Sequence, residues 1–230
     1  YRMVLGMDYN QVEPVFVQLD ALNSLVISGR AKSNCHRVAH NILHQIQRNV
    51  FVHNSEVYVM DDAKRVLSDV QRLGCVTEYT TDFDRMKEII SEVYEEAQQR
   101  QERLYDTDDD AERRAMLDKL PLKLLVINNE RVIKKLLSDK HCASELNELL
   151  VAYGDTKVCV IWSGYANARA SGISSTEVER YVHSLSSFVF MDHLSNLKME
   201  DVSLSTQRAL NRPYTDDDAF VHLNDAYQHI

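Results

Sequence analysis

Proline, glycine and closely spaced cysteines are rare in this chain of 230 residues, which contains three prolines, six glycines and four cysteines. So little proline and glycine argues against disorder, collagen-like repeats and a turn-rich β-sandwich. The cysteines form no C-x-x-C pair, and a reducing cytosol is their natural setting. No run reaches about 18 apolar residues, so no segment is expected to span a membrane.

Positive charge is also in short supply. Lysine and arginine number 26 against 35 aspartates and glutamates, which gives a formal net charge of −9. A protein that grips DNA draws most of its affinity from neutralised phosphates and usually presents a basic surface. We therefore predict no nucleic-acid partner.

The length and the 44% hydrophobic content suit one medium-sized domain, which we predict over residues 1–230. The first residue is Tyr1 rather than methionine, and no secretory leader is visible. We therefore expect the sequence to be a piece of a longer chain.

Short apolar runs alternate with amphipathic helical patterns along the sequence. Candidate strands occupy residues 2–7, 14–19, 23–28, 57–60, 75–79, 122–127, 158–162 and 188–191. Candidate helices occupy residues 38–48, 63–72, 82–105, 130–138, 142–153 and 174–185, the last with a capping box from Ser174 or Ser175 and Glu177. The alternation predicts an α/β fold, with a mainly parallel sheet, helices on both faces and a C-terminal hairpin over residues 219–230.

The loop after the strand 23–28 is the candidate phosphate-binding segment, because ligands of open α/β sheets bind beyond the carboxyl ends of the strands. Its residues are Gly29, Arg30, Ala31, Lys32, Ser33, Asn34, Cys35 and His36. The P-loop pattern G-x-x-x-x-G-K-[ST] keeps its first glycine here. Its second glycine, its lysine and its Ser/Thr are replaced by Asn34, Cys35 and His36.

These replacements differ in their chemical cost. Asn34 tolerates positive φ and could keep the turn, and backbone amides at the helix start could still attract an anion. Cys35 supplies no positive charge to a phosphate, and His36 is a poor ligand for magnesium. Arg30 and Lys32 could compensate only in part.

A second marker of nucleotide hydrolysis is a pair of acids after a buried strand, which hold magnesium and polarise the attacking water. Here the strand 122–127 ends in Asn128 and Asn129, with Glu130 displaced by one residue. Both P-loop and Walker B positions have therefore lost their chemistry. We predict no catalytic residues, no metal site, and weak binding of ATP and Mg²⁺ at most.

Three segments carry a resemblance to a known family. Residues 5–19 look like the strand pair that precedes the P-loop in the FtsK/SpoIIIE ATPases, and more closely in the EssC/EccC coupling proteins of type VII secretion. The helix 81–105, with Glu96 and Arg100 near its end, is similar to their long helix before the Walker B strand. The hairpin entered through residues 217–221 resembles the strand pair that closes the last module.

The resemblance implies a RecA-like P-loop NTPase fold in the third, C-terminal module of such a protein. It implies a cytoplasmic domain of a membrane-anchored bacterial chain, tandem ATPase modules as neighbours, a homo-hexamer, and export of WXG100-type proteins. Combined with the degenerate site, it predicts a module for substrate recognition or regulation with weak or no ATP hydrolysis. The alternatives are a slow ATPase active only in the hexamer and a remnant of a DNA translocase.

Three other patterns have a structural and a functional interpretation. His36, His40 and His44 share one helical face, where two of them could bind zinc. Because the sequence has no H-E-x-x-H motif, we favour a stripe of histidines that arose by chance. A contact with a neighbouring subunit of the hexamer or with substrate is a third option. The acidic run 106–110 predicts a helix cap rather than a divalent-metal site. Trp162 could join an exposed recognition surface, but core packing is the favoured prediction.

Overall fold

The computed structural model describes residues 2–29, 34–49, 54–166, 176–184, 187–197, 202–210, 215–216, 218–223 and 226–230. Its strands are β1 Arg2–Met7, β2 Pro14–Gln18, β3 Ser24–Gly29, β4 Ser55–Met60, β5 Val76–Thr80, β6 Leu122–Asn128, β7 Val158–Ala166, β8 Phe188–Met191, β9 Phe220–Leu223 and β10 Ala226–His229. Its helices are α1 Cys35–Arg48, α2 Phe83–Tyr105, α3 Asp110–Lys119, α4 Glu130–Ser138, α5 Lys140–Val151, α6 Glu177–Ser184 and α7 Leu204–Ala209.

The central sheet has eight strands in the order β10-β9-β8-β3-β7-β6-β4-β5, and β1 pairs with β2 separately. The strands from β8 to β5 are parallel, whereas β9 and β10 are antiparallel. The predicted parallel sheet and closing hairpin are therefore confirmed. In this order β3 lies near the middle, and β7 alone separates it from β6.

Both faces of the sheet are covered, as the alternation of strands and helices predicts. All seven residues of β6 are buried, which a strand enclosed on two sides requires. Leu124 and Val126 pack in one apolar cluster with α1, while Leu125 and Ile127 pack in a second cluster with α2, α4 and α5. The core therefore consists of two apolar layers on either side of the sheet.

Helix starts explain several polar runs. Asp82 caps α2 by accepting hydrogen bonds from the backbone N–H groups of Asp84 and Arg85. Asp109 caps α3 in the same way by accepting from Ala111 N–H, so the predicted role of the acidic run 106–110 as a helix cap is confirmed.

Two local predictions are wrong. Residues 63–72 form turns and a short 3₁₀ helix, Ser68–Arg72, instead of an α-helix. Arg65 has a φ of 54°, and Asp61 Oδ2 accepts a hydrogen bond from Leu67 N–H, so the backbone bonds outside a helical pattern.

The capping box of α6 also differs from its prediction. Thr176 Oγ1 accepts a hydrogen bond from Glu179 N–H, and Glu179 Oε2 accepts one from Thr176 N–H. Glu177 is the first residue of the helix rather than the partner of a cap. Ser174 and Ser175 lie outside the described residues.

A charged network attaches α2 to the edge of the sheet. Lys123 of β6 is buried, and its ammonium group contacts carboxylates of Glu56 and Glu96. Arg100 is also buried and donates to Glu96 at 2.7 Å and to the carbonyls of Pro121 and Thr156 at 2.9 Å. Since each buried cation has several acceptors, neither charge is left unpaired, and removing one partner of the network would destabilise the packing of α2.

Side chains with alternative interpretations lie in the core. Trp162 is fully buried, and Tyr165 packs edge-on to it with ring centroids 6.4 Å apart, so the prediction of core packing is confirmed. All four cysteines are buried thiols outside disulfides. In the part of the chain that the structure describes, no helix has the length and apolarity that crossing a bilayer requires.

Candidate functional site

The candidate site lies at the edge of the sheet where β3, β7, β6 and β4 present their carboxyl ends. Parallel pairing fixes the register: Ile127 lies opposite Met60, and Asn128 lies opposite Ser163. The polar residues that follow β4 and β6 are therefore neighbours in space. This is the edge at which open α/β sheets bind ligands.

The predicted phosphate loop is described only at its two ends. Gly29 is the last residue of β3, whereas Arg30, Ala31, Lys32 and Ser33 lie outside the described residues. Asn34 has a φ of −83°, so the expected use of positive φ at this position is wrong. Its carbonyl instead accepts a hydrogen bond of 2.8 Å from Arg37 N–H as α1 begins.

Neither Cys35 nor His36, at the predicted positions of the P-loop lysine and Ser/Thr, adds positive charge to this edge. Cys35 is buried in the apolar cluster beneath α1. His36 is half-buried, and its pKa is lowered by burial, by Arg37 and by His40, against an opposing effect of Asp61. The imidazole is therefore uncharged at neutral pH and offers little to a phosphate.

Asn128, at the predicted first Walker B position, forms a buried hydrogen bond with the residue that follows the neighbouring strand β4. Asn128 Nδ2 donates to Asp61 Oδ1 at 2.8 Å, and both side chains are buried. An aspartate in place of Asn128 would put two carboxylates within contact distance, which is unfavourable in a buried site. The amide is therefore the side chain that this pairing requires.

Asn129, at the predicted second Walker B position, makes a similar contact closer to the surface. Asn129 Nδ2 donates to Asp62 Oδ2 at 2.9 Å, while its Oδ1 caps α4 by accepting from Arg131 N–H. Its backbone N–H donates to the Ser163 carbonyl at 2.8 Å. The residue has a φ of 83° and a ψ of 133°, a combination outside the left-handed α region that residues other than glycine rarely adopt. Asn129 is thus committed to three structural contacts.

The Asp61 carboxylate is saturated by donors. In addition to Asn128 it accepts from the N–H groups of Asp62 and Leu67 at 2.8 Å and from the Tyr79 hydroxyl at 3.0 Å. A carboxylate has about four lone-pair sites, so none is left for a metal ion. Burial and this carboxylate raise the pKa of Tyr79 well above its usual range, so its hydroxyl remains a donor.

Two further residues complete the edge. Glu130 forms an ion pair with Lys134 on α4, so its carboxylate lies on the helix surface, as the one-residue displacement predicts. The Ser163 hydroxyl is buried between β3 and β6 and has no hydrogen-bond partner among the described residues. Ser163 is fully buried, so this hydroxyl is not accessible from solvent.

Asp61 and Asp62 are the site residues that the sequence analysis missed. They follow β4 directly, whereas Asn128 is the last residue of β6 and Asn129 follows it. The signal in the sequence is that one apolar strand is followed by two acids and another by two amides. If the two strands are neighbours, the amides can donate hydrogen bonds to the carboxylates.

No model of a protein family and no curated protein matches the chain. Several solved structures, however, have a similar fold. EssC (ATPases 2 and 3) from Geobacillus thermodenitrificans superposes with a TM-score of 0.80 at 14% identity, over 100% of this chain and 40% of that chain. The cytoplasmic domain of the Thermomonospora curvata type VII secretion ATPase EccC gives 0.71 at 14% identity, over 99% and 26%.

A third similar structure is the pCW3 conjugation coupling protein TcpA with ATPγS, with a TM-score of 0.65, 13% identity and coverage of 99% of this chain and 64% of that chain. These likenesses confirm the predicted fold: the chain has the RecA-like fold of the EssC/EccC ATPase domains. It spans 40% or less of the two secretion ATPases named above. Its place in a series of modules stays a prediction.

Proposed function

We propose that this chain is an ATPase-fold module of a type VII secretion coupling protein that contributes to substrate recognition and regulation, with weak or no ATP hydrolysis. The observation that carries the proposal is the pairing of Asn128 with Asp61 and of Asn129 with Asp62 at the carboxyl edge. Amides bonded to the neighbouring strand stand where acids would hold magnesium and polarise water.

The chemistry of the edge supports this function. Phosphoryl transfer depends on positioning and on charge stabilisation by a metal ion and basic groups. Asp61 has no lone pair to spare, Cys35 has no positively charged form, and burial lowers the pKa of His36 and so disfavours its charged form. Losing each group that stabilises charge typically costs a few kcal/mol of transition-state stabilisation.

Nucleotide is proposed as a weak conformational ligand of Gly29, Asn34 and the intervening loop. Backbone N–H groups at the start of α1 attract anions without a lysine. TcpA, which shares the fold, was solved with ATPγS.

Secreted proteins are the proposed partners. EccC (ATPases 2 and 3) from Thermomonospora curvata was solved in complex with a signal sequence peptide, and it superposes on this chain with a TM-score of 0.71 at 14% identity. By this likeness, WXG100-type proteins would bind this module, adjacent modules would flank it, and a hexameric, membrane-anchored parent would place it in the cytoplasm.

The test measures hydrolysis and partner binding separately. Purified chain is assayed for phosphate release with Mg²⁺–ATP and titrated calorimetrically with ATPγS, alongside a Lys32→Ala variant. A fluorescent signal sequence peptide of a WXG100 protein is titrated with and without nucleotide. We expect background hydrolysis and peptide binding that does not require ATP. Robust turnover that Lys32→Ala abolishes would overturn the weak-hydrolysis proposal, and failure to bind any such peptide would overturn substrate recognition.

A further inference from the structure

Three side chains from two separate segments converge on one point beside α1. His40 and His44 lie one helical turn apart on α1, and Asp69 belongs to the 3₁₀ helix Ser68–Arg72. His40 Nε2 lies 2.6 Å from Asp69 Oδ2 and 3.1 Å from His44 Nε2. All three potential ligand atoms lie within 4.8 Å of one another.

Protons alone satisfy this cluster poorly. The Nε2 atom of a neutral imidazole carries either one proton or one lone pair. If His40 Nε2 donates to Asp69, it has no lone pair with which to accept from His44, and His44 Nε2 can only share the same N–H as a second acceptor. If it accepts from His44, it turns a lone pair toward the carboxylate. A cation among the three atoms resolves the conflict, because each atom then directs a lone pair at it.

We propose that His40, His44 and Asp69 bind a zinc ion that links α1 to the segment following β4. Imidazole nitrogen and carboxylate oxygen are zinc ligands at about 2.0–2.2 Å, which places the ligand atoms of a tetrahedral site about 3.4 Å apart. The distances of 2.6 and 3.1 Å are shorter than that spacing by about 0.8 and about 0.3 Å, so rotations of the three side chains must separate the ligand atoms to admit the ion. Water would complete the tetrahedron.

The new element is Asp69, not the histidine stripe. Two histidines four residues apart on a helix are common by chance, and the sequence analysis favoured that interpretation. The carboxylate comes from a residue 29 positions away in the chain, on the wrongly predicted helix 63–72. His36, the third histidine of the stripe, is not in the cluster.

The site would join two connections that leave the carboxyl edge of the sheet. α1 follows the candidate phosphate loop, and the segment with Asp69 follows Asp61 and Asp62. Zinc bound only by the folded chain stabilises it by mass action. The proposal is independent of whether the module hydrolyses ATP.

The test is calorimetric titration of the chelator-treated chain with ZnCl₂, with thermal unfolding measured in parallel. We expect one zinc ion per chain and a higher Tm with zinc than with chelator. His44→Gln and Asp69→Asn should each weaken binding by roughly 100-fold, because even the outer partners of metal ligands typically account for about 10–100-fold. His36→Gln is the matched control and should bind as the unmodified chain does.

Several results would overturn the site. These are no zinc binding by the unmodified chain, unchanged affinity in Asp69→Asn, or loss of binding in His36→Gln, which would assign the ion to His36 and His40. Circular dichroism checks that each variant folds. If one does not, the Co²⁺-loaded unmodified chain decides: visible bands of tetrahedral cobalt are expected, and an octahedral spectrum excludes the arrangement.

Discussion

The amide of Asn128 donates a hydrogen bond of 2.8 Å to Asp61, and neither residue is more than 4% exposed. This contact links β6 to the end of β4 at the edge where a nucleotide would bind. At the predicted Walker B position, Asn128 thereby provides a neutral donor for a buried carboxylate. The amide that we propose weakens the nucleotide site thus also contributes a buried contact to the fold.

Restoring the acid should destabilise the protein rather than activate it. In Asn128→Asp two buried carboxylates would face each other where an amide now donates to a carboxylate. We therefore expect the free energy of unfolding to fall by about 3 kcal/mol at pH 7. Urea denaturation measures it. Asn41→Asp on the exposed face of α1 is the control and should change little. An Asn128→Asp variant with unchanged stability and new ATPase activity would contradict the proposed role of the amide.

The same variant should show a distinctive dependence on pH. A proton shared by the two carboxyl groups removes the repulsion, so the folded variant binds that proton more tightly than the unfolded chain does. Its stability relative to the unmodified chain is therefore highest below the ordinary pKa of an aspartate and falls as the pH rises. Urea midpoints measured from about pH 4, near the ordinary pKa of an aspartate, to about pH 7 check the sign of this dependence.

Removing another donor to Asp61 should weaken the same edge. Tyr79→Phe deletes the hydroxyl that donates to Asp61 Oδ2 at 3.0 Å, and hydrogen bonds to charged groups contribute about 2 kcal/mol. Tyr105→Phe is the matched control, since Tyr105 is exposed at the end of α2. Equal stability of the two variants in chemical denaturation would show that the hydroxyl contributes nothing to the Asp61 contacts.

Much of the fold could be predicted from the sequence because its determinants are local. Apolar runs such as β6 and caps such as Asp82 specify their own structure. The segment 63–72 could not be predicted, because the contact between Asp61 and Leu67 N–H overrides its helical pattern. The partners of Asn128 and Asn129 were likewise hidden, since the strand order that joins β4 to β6 places residues 67 positions apart in contact.

Arg100, one of the residues that carried the family resemblance, has a structural role that can be tested. Arg100→Met leaves the carbonyls of Pro121 and Thr156 without their charged donor, so we expect a loss of about 3 kcal/mol. Arg103→Met, at an exposed position in the same helix, should cost much less. Denaturant midpoints of the two variants provide the comparison, and similar values would contradict the assignment.

Trp162 is the only tryptophan of the chain, which makes its environment measurable by fluorescence. Its ring is fully buried, and its Nε1–H donates to Ser24 Oγ at 2.8 Å. We expect blue-shifted emission that iodide does not quench and that a bound signal sequence peptide leaves unchanged. Ser24→Ala should lower stability by about 1–2 kcal/mol, because the indole N–H then lacks an acceptor. Ser138→Ala, whose hydroxyl is exposed at the end of α4, is the control. Direct quenching of Trp162 by a peptide would instead place this ring on the recognition surface, an interpretation that its complete burial opposes.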